Sequence, residues 1–98
     1  MFAAALRFEL HLAGIHSLKE KRAVVKPILE GARRRFAVSA SEVGHQDVWQ
    51  SAALGFAVVG SSALQVDGVL DSVERFVWSF PEVSVVSTGR SWLEGVDA

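Results

Sequence analysis

Positive charge is concentrated in one short part of this chain. Residues 17–36 contain seven of the ten Lys and Arg residues but two of the eleven acids, a net charge of +5. The remaining residues carry −6, and the whole chain carries −1. Clustered cations bind nucleic-acid phosphates, because each neutralised phosphate releases counterions. The candidate phosphate-binding residues are Lys19, Lys21, Arg22, Lys26, Arg33, Arg34 and Arg35. The alternative is a solvated helix face, on which long side chains cover apolar surface and keep their charges in water.

A second candidate group combines one aromatic residue with two polar ones. Asp47, Trp49 and Gln50 follow a short segment that tolerates strand structure. A tryptophan in this position either packs at the sheet edge or makes an aromatic contact with a partner, with the two polar residues as hydrogen-bonding handles. Both interpretations stay open from the sequence.

The usual signatures of catalysis and metal binding are missing from the sequence. There is no cysteine, so thiolate zinc sites, Fe–S ligation, disulfides and a cysteine nucleophile are excluded. No G-x-x-x-x-G-K-[ST], G-x-G-x-x-G or H-E-x-x-H pattern occurs, and the three histidines have no ligand spacing. We therefore expect a protein that is not an enzyme and has no metal site and no cofactor.

The first element that must position these residues is a strand. Apolar and polar residues alternate over residues 2–12, the period-two pattern of a strand with one buried face. Arg7, Glu9 and His11 lie on the other face of that strand. They form a third candidate group for contact with a partner.

The basic segment follows as a helix. Ser17 and Glu20 have the spacing of a reciprocal capping box, and apolar residues then recur on one helical face as far as Phe36. Pro27 lies inside this pattern and removes one helical hydrogen bond, so we expect a kink or a local break there. The apolar pattern continues past Pro27, which favours the kink.

The rest of the chain predicts two more strands, a helix and a last strand. Residues 37–43 and the alternating residues 52–60 indicate a hairpin. Ser62 begins a second helix with another capping box, Pro81 ends it, and residues 83–93 favour a strand. The order β-α-β-β-α-β with right-handed crossovers predicts an α+β ferredoxin-like sandwich, a four-stranded antiparallel sheet with both helices on one face.

The size of the chain fits one domain. Its 98 residues, 50% of them hydrophobic, predict a single domain over residues 1–93 followed by a frayed tail over residues 94–98. The longest apolar runs fall far short of the roughly 20 residues of a membrane-spanning helix. A basic leader for secretion is missing too. We therefore expect a cytoplasmic protein with no membrane partner.

The predicted sandwich leaves one face of its sheet open. The third strand would present Ala53, Gly55 and Ala57 there, which makes the face flat. Such a face meets water, binds a small ligand or pairs with a second copy as a homodimer. Residues 55–58 partly match the segment with which RRM domains stack RNA bases, but Phe56 shares the parity of the core residues. We do not expect RRM-type stacking.

Two strings of residues carry a resemblance to a known family. They are SLKEKR at residues 17–22, and VSASEV at residues 38–43 leading through Asp47 to Trp49 and Gln50. On these strings the chain resembles the YlxP-like family, small bacterial proteins labelled as a domain of unknown function. The resemblance covers most of the chain and implies a ferredoxin-like fold. Many family members are encoded beside translation-initiation and ribosome-maturation factors, which implies a link to the ribosome or to RNA.

The chain departs from the family pattern at Ala37, where Asn is usual after Phe, and at Pro27. The basic first helix and the family resemblance together favour a non-enzymatic RNA-binding or ribosome-associated protein that uses this helix, with ribosomal RNA or a ribosomal subunit as partner. The alternative is a dimerisation or small-ligand-binding module that uses the open face of the sheet.

Overall fold

The computed structural model of the protein describes residues 1–93. Its elements are β1 (Phe2–His11), α1 (Leu18–Phe36), β2 (Ser39–Gly44), β3 (Ser51–Gly60), α2 (Ala63–Trp78) and β4 (Ser84–Leu93). The predicted order β-α-β-β-α-β is therefore confirmed. The tail expected over residues 94–98 lies outside the described residues.

The four strands form one antiparallel sheet in the order β2-β3-β1-β4. Both helices pack on one of its faces, as predicted for a ferredoxin-like sandwich. Alternate residues of the two central strands point toward the helices, and Phe8 and Phe56 meet there edge to face, with 5.8 Å between ring centroids. Both rings are buried. These two rings therefore cannot stack on RNA bases at the open face, as expected from their positions in the alternating pattern of the sequence.

Both helices begin with the predicted serine caps. The Ser17 hydroxyl accepts a hydrogen bond from the Glu20 amide at 3.1 Å. The reciprocal bond differs from the expected one, because the Glu20 carboxylate accepts from the amide of His16 at 2.8 Å, one residue before the cap. In α2 the Ser62 hydroxyl likewise accepts from the Gln65 amide at 3.1 Å. These bonds satisfy amides that a helix start leaves unpaired.

Helix α1 runs through Pro27 without a break and ends at a left-handed residue. Ala37, its C-terminal cap, has φ 51° and ψ 45°. This conformation is unfavourable for a residue with a Cβ atom, and glycine and asparagine occupy it most readily. The turn delays β2, which begins at Ser39 rather than at the predicted residue 37.

One part of the sheet face predicted to be open is in fact covered. The register of β2 against β3 shifts between Glu42 and Gly44, which indicates a bulge. At the bulge, Gly44 lies next to Ala53, which is fully buried, and the Val43 side chain lies against Gly55. The flat face expected from the three small residues of β3 is therefore confined to the end of the strand that holds Ala57.

Helix α2 lies mainly over β1 and β3 and leaves β4 largely exposed. Arg90 of β4 bridges the gap by hydrogen bonding to Asp67 and, at 3.1 Å, to Asp71 of α2. Burial by itself would lower the pKa of Arg90, but the hydrogen bonds that it donates to Asp67 and Asp71, together with their negative charges, outweigh burial and raise that pKa above its ordinary value.

Candidate nucleic-acid interface

The outer face of α1 carries most of the predicted phosphate-binding residues. Its inward face packs Val25, Ile28 and Ala32 into the core, which turns the opposite face to solvent. Six of the seven candidate cations are exposed, namely Lys19, Arg22, Lys26, Arg33, Arg34 and Arg35. The seventh, Lys21, is on the buried side.

Three of the exposed cations have no partner among residues 1–93. The side chains of Lys19, Arg22 and Arg34 make no hydrogen bond, ion pair or ring contact with another described residue. Lys26 has Glu30 one turn away, but the two charges are 3.8 Å apart and exposed, so water screens the pair. These four side chains are free to bind an anion.

The remaining two arginines of the outer face are partly engaged with the protein. Arg33 reaches the edge of the sheet, where its guanidinium donates a hydrogen bond to the carbonyl oxygen of Ala40 in β2. The guanidinium of Arg35 lies 5.0 Å from the ring centroid of Phe76 in α2, a cation–π distance. Each guanidinium has further N–H groups, so both retain donors for a phosphate.

Lys21 has a different role from the other candidates. It is 2% exposed, and its Nζ donates to the carbonyl oxygens of His45 and Val48, at 2.6 and 2.8 Å. The same Nζ lies 2.7 Å from Oε2 of Glu42 in β2. A buried lysine with three oxygen neighbours cannot reach an external phosphate without breaking all three contacts. We therefore leave Lys21 out of the proposed binding surface.

Lys21 instead fixes the β2–β3 loop, residues 45–50, against the start of α1. The Gln50 side chain adds a long contact of 3.4 Å to the Ile15 carbonyl, just before the helix. His45 is held in a left-handed conformation with φ 59°. Asp47, Trp49 and Gln50 are exposed in this loop. The structure thus brings two sequence-predicted groups, the basic helix and residues 47–50, to the same end of the molecule.

The third predicted group lies on the open face of the sheet. Arg7 hydrogen bonds to Glu9, and the other oxygen of Glu9 lies 2.9 Å from Nε2 of His45. The Arg7 hydrogen bond lowers the pKa of Glu9 below its ordinary value, and a smaller opposing effect of desolvation is offset by the His45 hydrogen bond. His11 is exposed and has no partner within residues 1–93.

The opposite end of the same face contains a groove that the sequence did not predict. It has a volume of about 610 Å³ and is lined by small and apolar side chains. Its floor includes Ala3, Ala5 and Ala57, and Trp92 and Leu93 of β4 form one wall. The alternating alanines of β1 were the signal for it, because strands without large side chains leave space above the sheet.

Within residues 1–93 no three His, Asp or Glu side chains are placed to hold a metal ion together. No described helix is long and apolar enough to cross a membrane.

The fold and these surfaces define a class of protein, a small ferredoxin-like α+β sandwich with a basic helix face and a partly open sheet. A solved structure of the de novo designed protein LFR1 1, which has a ferredoxin fold, matches with a TM-score of 0.56 at 8% identity, covering 98% of this chain and 88% of that one. SnoaB, a cofactor-independent oxygenase from Streptomyces nogalater, matches with a TM-score of 0.54 at 8% identity, covering 99% and 95%. Likeness at this identity concerns the fold alone.

Sequence comparison gives the family. Residues 3–90 match the family described as Protein of unknown function (DUF503), and this chain belongs to that family. The uncharacterized protein YlxP of Bacillus subtilis (strain 168) is 47% identical over 76 residues, which cover 78% of this chain and 83% of that protein. The resemblance to YlxP-like proteins is thereby confirmed.

Proposed function

We propose that the protein binds structured RNA through the outer face of α1, with ribosomal RNA as the natural partner class. The observation that carries the proposal is a stripe of exposed cations on α1, of which Lys19 and Arg22, like Arg34 at its flank, have no acidic partner within residues 1–93. Lys19 and Arg22 lie one helical turn apart, so leaving both unpaired costs repulsion, and a bound polyanion removes that cost.

The geometry favours contact with the RNA backbone over reading of the bases. The aromatic rings of the central strands are buried, so the sheet offers no stacking platform of the RRM kind. Cations along a helix contact phosphates, and the arrangement suits a folded RNA whose backbone presents phosphates at a regular spacing. Trp49 is an exposed aromatic at the same end of the molecule as the start of α1. It supplies one stacking contact for a base at the end of the bound segment.

Salt dependence tests the proposal. We expect the affinity for ribosomal RNA to fall steeply with salt, with a slope of about −3 in a plot of log K against log salt for four phosphate contacts. The double variant Lys19→Gln with Arg22→Gln removes two of these contacts. It should bind about tenfold more weakly at low salt and reduce the slope by about half.

A matched control separates the helix face from net charge. Arg75→Glu changes the net charge by the same two units at an exposed position on α2 rather than on α1. We expect this variant to bind RNA as the wild type does. If both variants bind as tightly as wild type, or lose affinity equally, α1 is not the binding surface and the proposal is wrong.

The groove on the open face supports a second candidate function, binding of a small apolar ligand. Its walls are small and apolar, and the polar group of Arg7, Glu9 and His45 lies farther along the same face. An apolar fluorescent dye should bind the wild type. The Ala57→Phe variant, whose new side chain fills the groove, should no longer bind the dye. The control variant Ala23→Phe, on the exposed face of α1, should bind the dye as the wild type does. Equal dye binding by both variants contradicts this candidate.

A further inference from the structure

The two edges of the sheet are built differently. The β2 edge has six residues and a bulge between Glu42 and Gly44. Beside it, Arg33 of α1 donates to the carbonyl of Ala40. Short strands, bulges and charged side chains are the means by which proteins keep a free sheet edge from pairing with another strand. The β2 edge uses all three.

The β4 edge uses much less of this protection. It has ten residues and is exposed over nearly all of its length. Within residues 1–93, no loop and no side chain from another element hydrogen bonds to its backbone. One irregularity lies near its start, where the register against β1 shifts between Glu9 and Leu10. A long edge without such protection is a template for another strand.

The charges of β4 do not oppose such pairing. The strand has one charged residue, Arg90, and its guanidinium is turned to the helix layer and held by Asp67 and Asp71. The residues whose side chains flank the edge on the open face are small, namely Ser87, Gly89 and Ser91. A strand from an unrelated partner is usually selected by pockets for its alternate side chains, and Ser87 and Gly89, in the middle of the edge, do not line the groove of the open face.

The exposed apolar residues of β4 favour a second copy of the same strand. Val86 lies near one end of β4, and Trp92 and Leu93 lie at the other end. In an antiparallel pair of identical strands related by a two-fold axis, the Val86 end of each copy lies beside the Leu93 end of its partner. This arrangement covers the apolar ends of both strands and leaves small polar residues at the centre.

We propose that β4 is the interface of a homodimer, in which it pairs antiparallel with β4 of a second copy to form one eight-stranded sheet. This interface is the edge of the sheet. It differs from the middle of the open face, although it shares Trp92 and Leu93 with the wall of the alanine-lined groove.

Light scattering on two matched valine variants tests the proposal. Val86→Lys places a charge at the edge, where Val86 is 68% exposed, and Val59→Lys places the same charge on the open face, where Val59 is 66% exposed. We expect wild type and Val59→Lys to be dimers from low micromolar concentration upward. Val86→Lys should raise the dissociation constant at least about tenfold, because each introduced charge then lies at the apolar Leu93 end of the partner strand.

Other outcomes overturn the proposal. A wild type that stays monomeric at near-millimolar concentration excludes the dimer. If Val59→Lys is monomeric while Val86→Lys remains a dimer, the dimer interface lies on the open face and not at the β4 edge. Circular dichroism of both variants shows whether they fold. Amide hydrogen exchange of the wild type gives a second measurement, in which protection of β4 must rise with protein concentration and that of β2 must not.

Discussion

On each side of the molecule an ion pair joins a helix to an outer strand of the sheet. Lys21 reaches from α1 to Glu42 of β2 and to the carbonyls of the β2–β3 loop. Arg90 reaches in the other direction, from β4 to Asp67 and Asp71 of α2. The Lys21 side chain is 3% exposed and that of Arg90 is 22% exposed.

The difference in burial follows from how the helices lie on the sheet. Helix α1 packs on β2 and closes over Lys21, whereas α2 is centred on β1 and β3 and leaves β4 largely exposed. A buried charge without its partner is costly, while an exposed one is hydrated by water. The α1–β2 side is therefore expected to be rigid, and the α2–β4 side keeps its strand accessible.

The largest effect is expected from Lys21→Met. Methionine fills a similar volume but leaves the Glu42 carboxylate and two loop carbonyls without their cation. We expect the free energy of unfolding to fall by about 3 kcal/mol, measured by urea denaturation. The control is Lys19→Met, an exposed residue of the same helix, whose effect should stay within about 0.5 kcal/mol. Equal small losses in both variants would show that Lys21 is not structural.

A smaller loss is expected from Arg90→Met on the other side. Its two partners are about half exposed and regain water when the guanidinium is removed. We expect a loss of about 1 kcal/mol in the same measurement. If Arg90→Met costs as much as Lys21→Met, the two sides are equally buried in solution and the contrast between them fails.

The connection from α1 to β2 predicts a gain in stability. Ala37→Gly removes the cost of a left-handed alanine and should stabilise the protein by about 0.5–1 kcal/mol. The same substitution at Ala23, within α1, should destabilise by about 1 kcal/mol, because glycine is a poor helix former. Helix α2 ends on Ser79, which is in a right-handed conformation. A glycine at that position would therefore not stabilise the protein in the same way. If Ala37→Gly raises the free energy of unfolding and Ala23→Gly lowers it, the left-handed cap is confirmed. Changes in the same direction exclude it.

The smallest effect is a pH dependence at Glu9, whose partner His45 lies in the loop that Lys21 holds. The pKa of Glu9 is lower in the folded state than its ordinary value of 4.5. The ionised Glu9 carboxylate therefore stabilises the folded protein at pH values above 4.5. This contribution is lost as the pH falls through the folded-state pKa. The difference in urea midpoint between wild type and Glu9→Gln should therefore shrink as the pH is lowered from about 6 to about 3. A difference that stays constant with pH contradicts the lowered pKa.

The sequence by itself determined the elements and their order. Ser17 and Ser62 mark both helix starts because a serine hydroxyl can cap only the amides that follow it, and period-two alternation marked the faces of β1 and β3. With the β-α-β-β-α-β order these local signals suffice for the ferredoxin-like fold, since few topologies accommodate them. The sequence also located the exposed cations of α1, because helical periodicity separates them from the core.

Only the tertiary structure decided which residues of these elements meet. Lys21 looked like its basic neighbours, since nothing local indicates that Glu42 and two loop carbonyls, 21 to 27 residues away, converge on it. The contrast between the two sheet edges has no local signal, because it depends on where the helices lie over the strands. Periodicity fixes the face of a residue, but its partners are fixed by packing between elements that are distant in the chain.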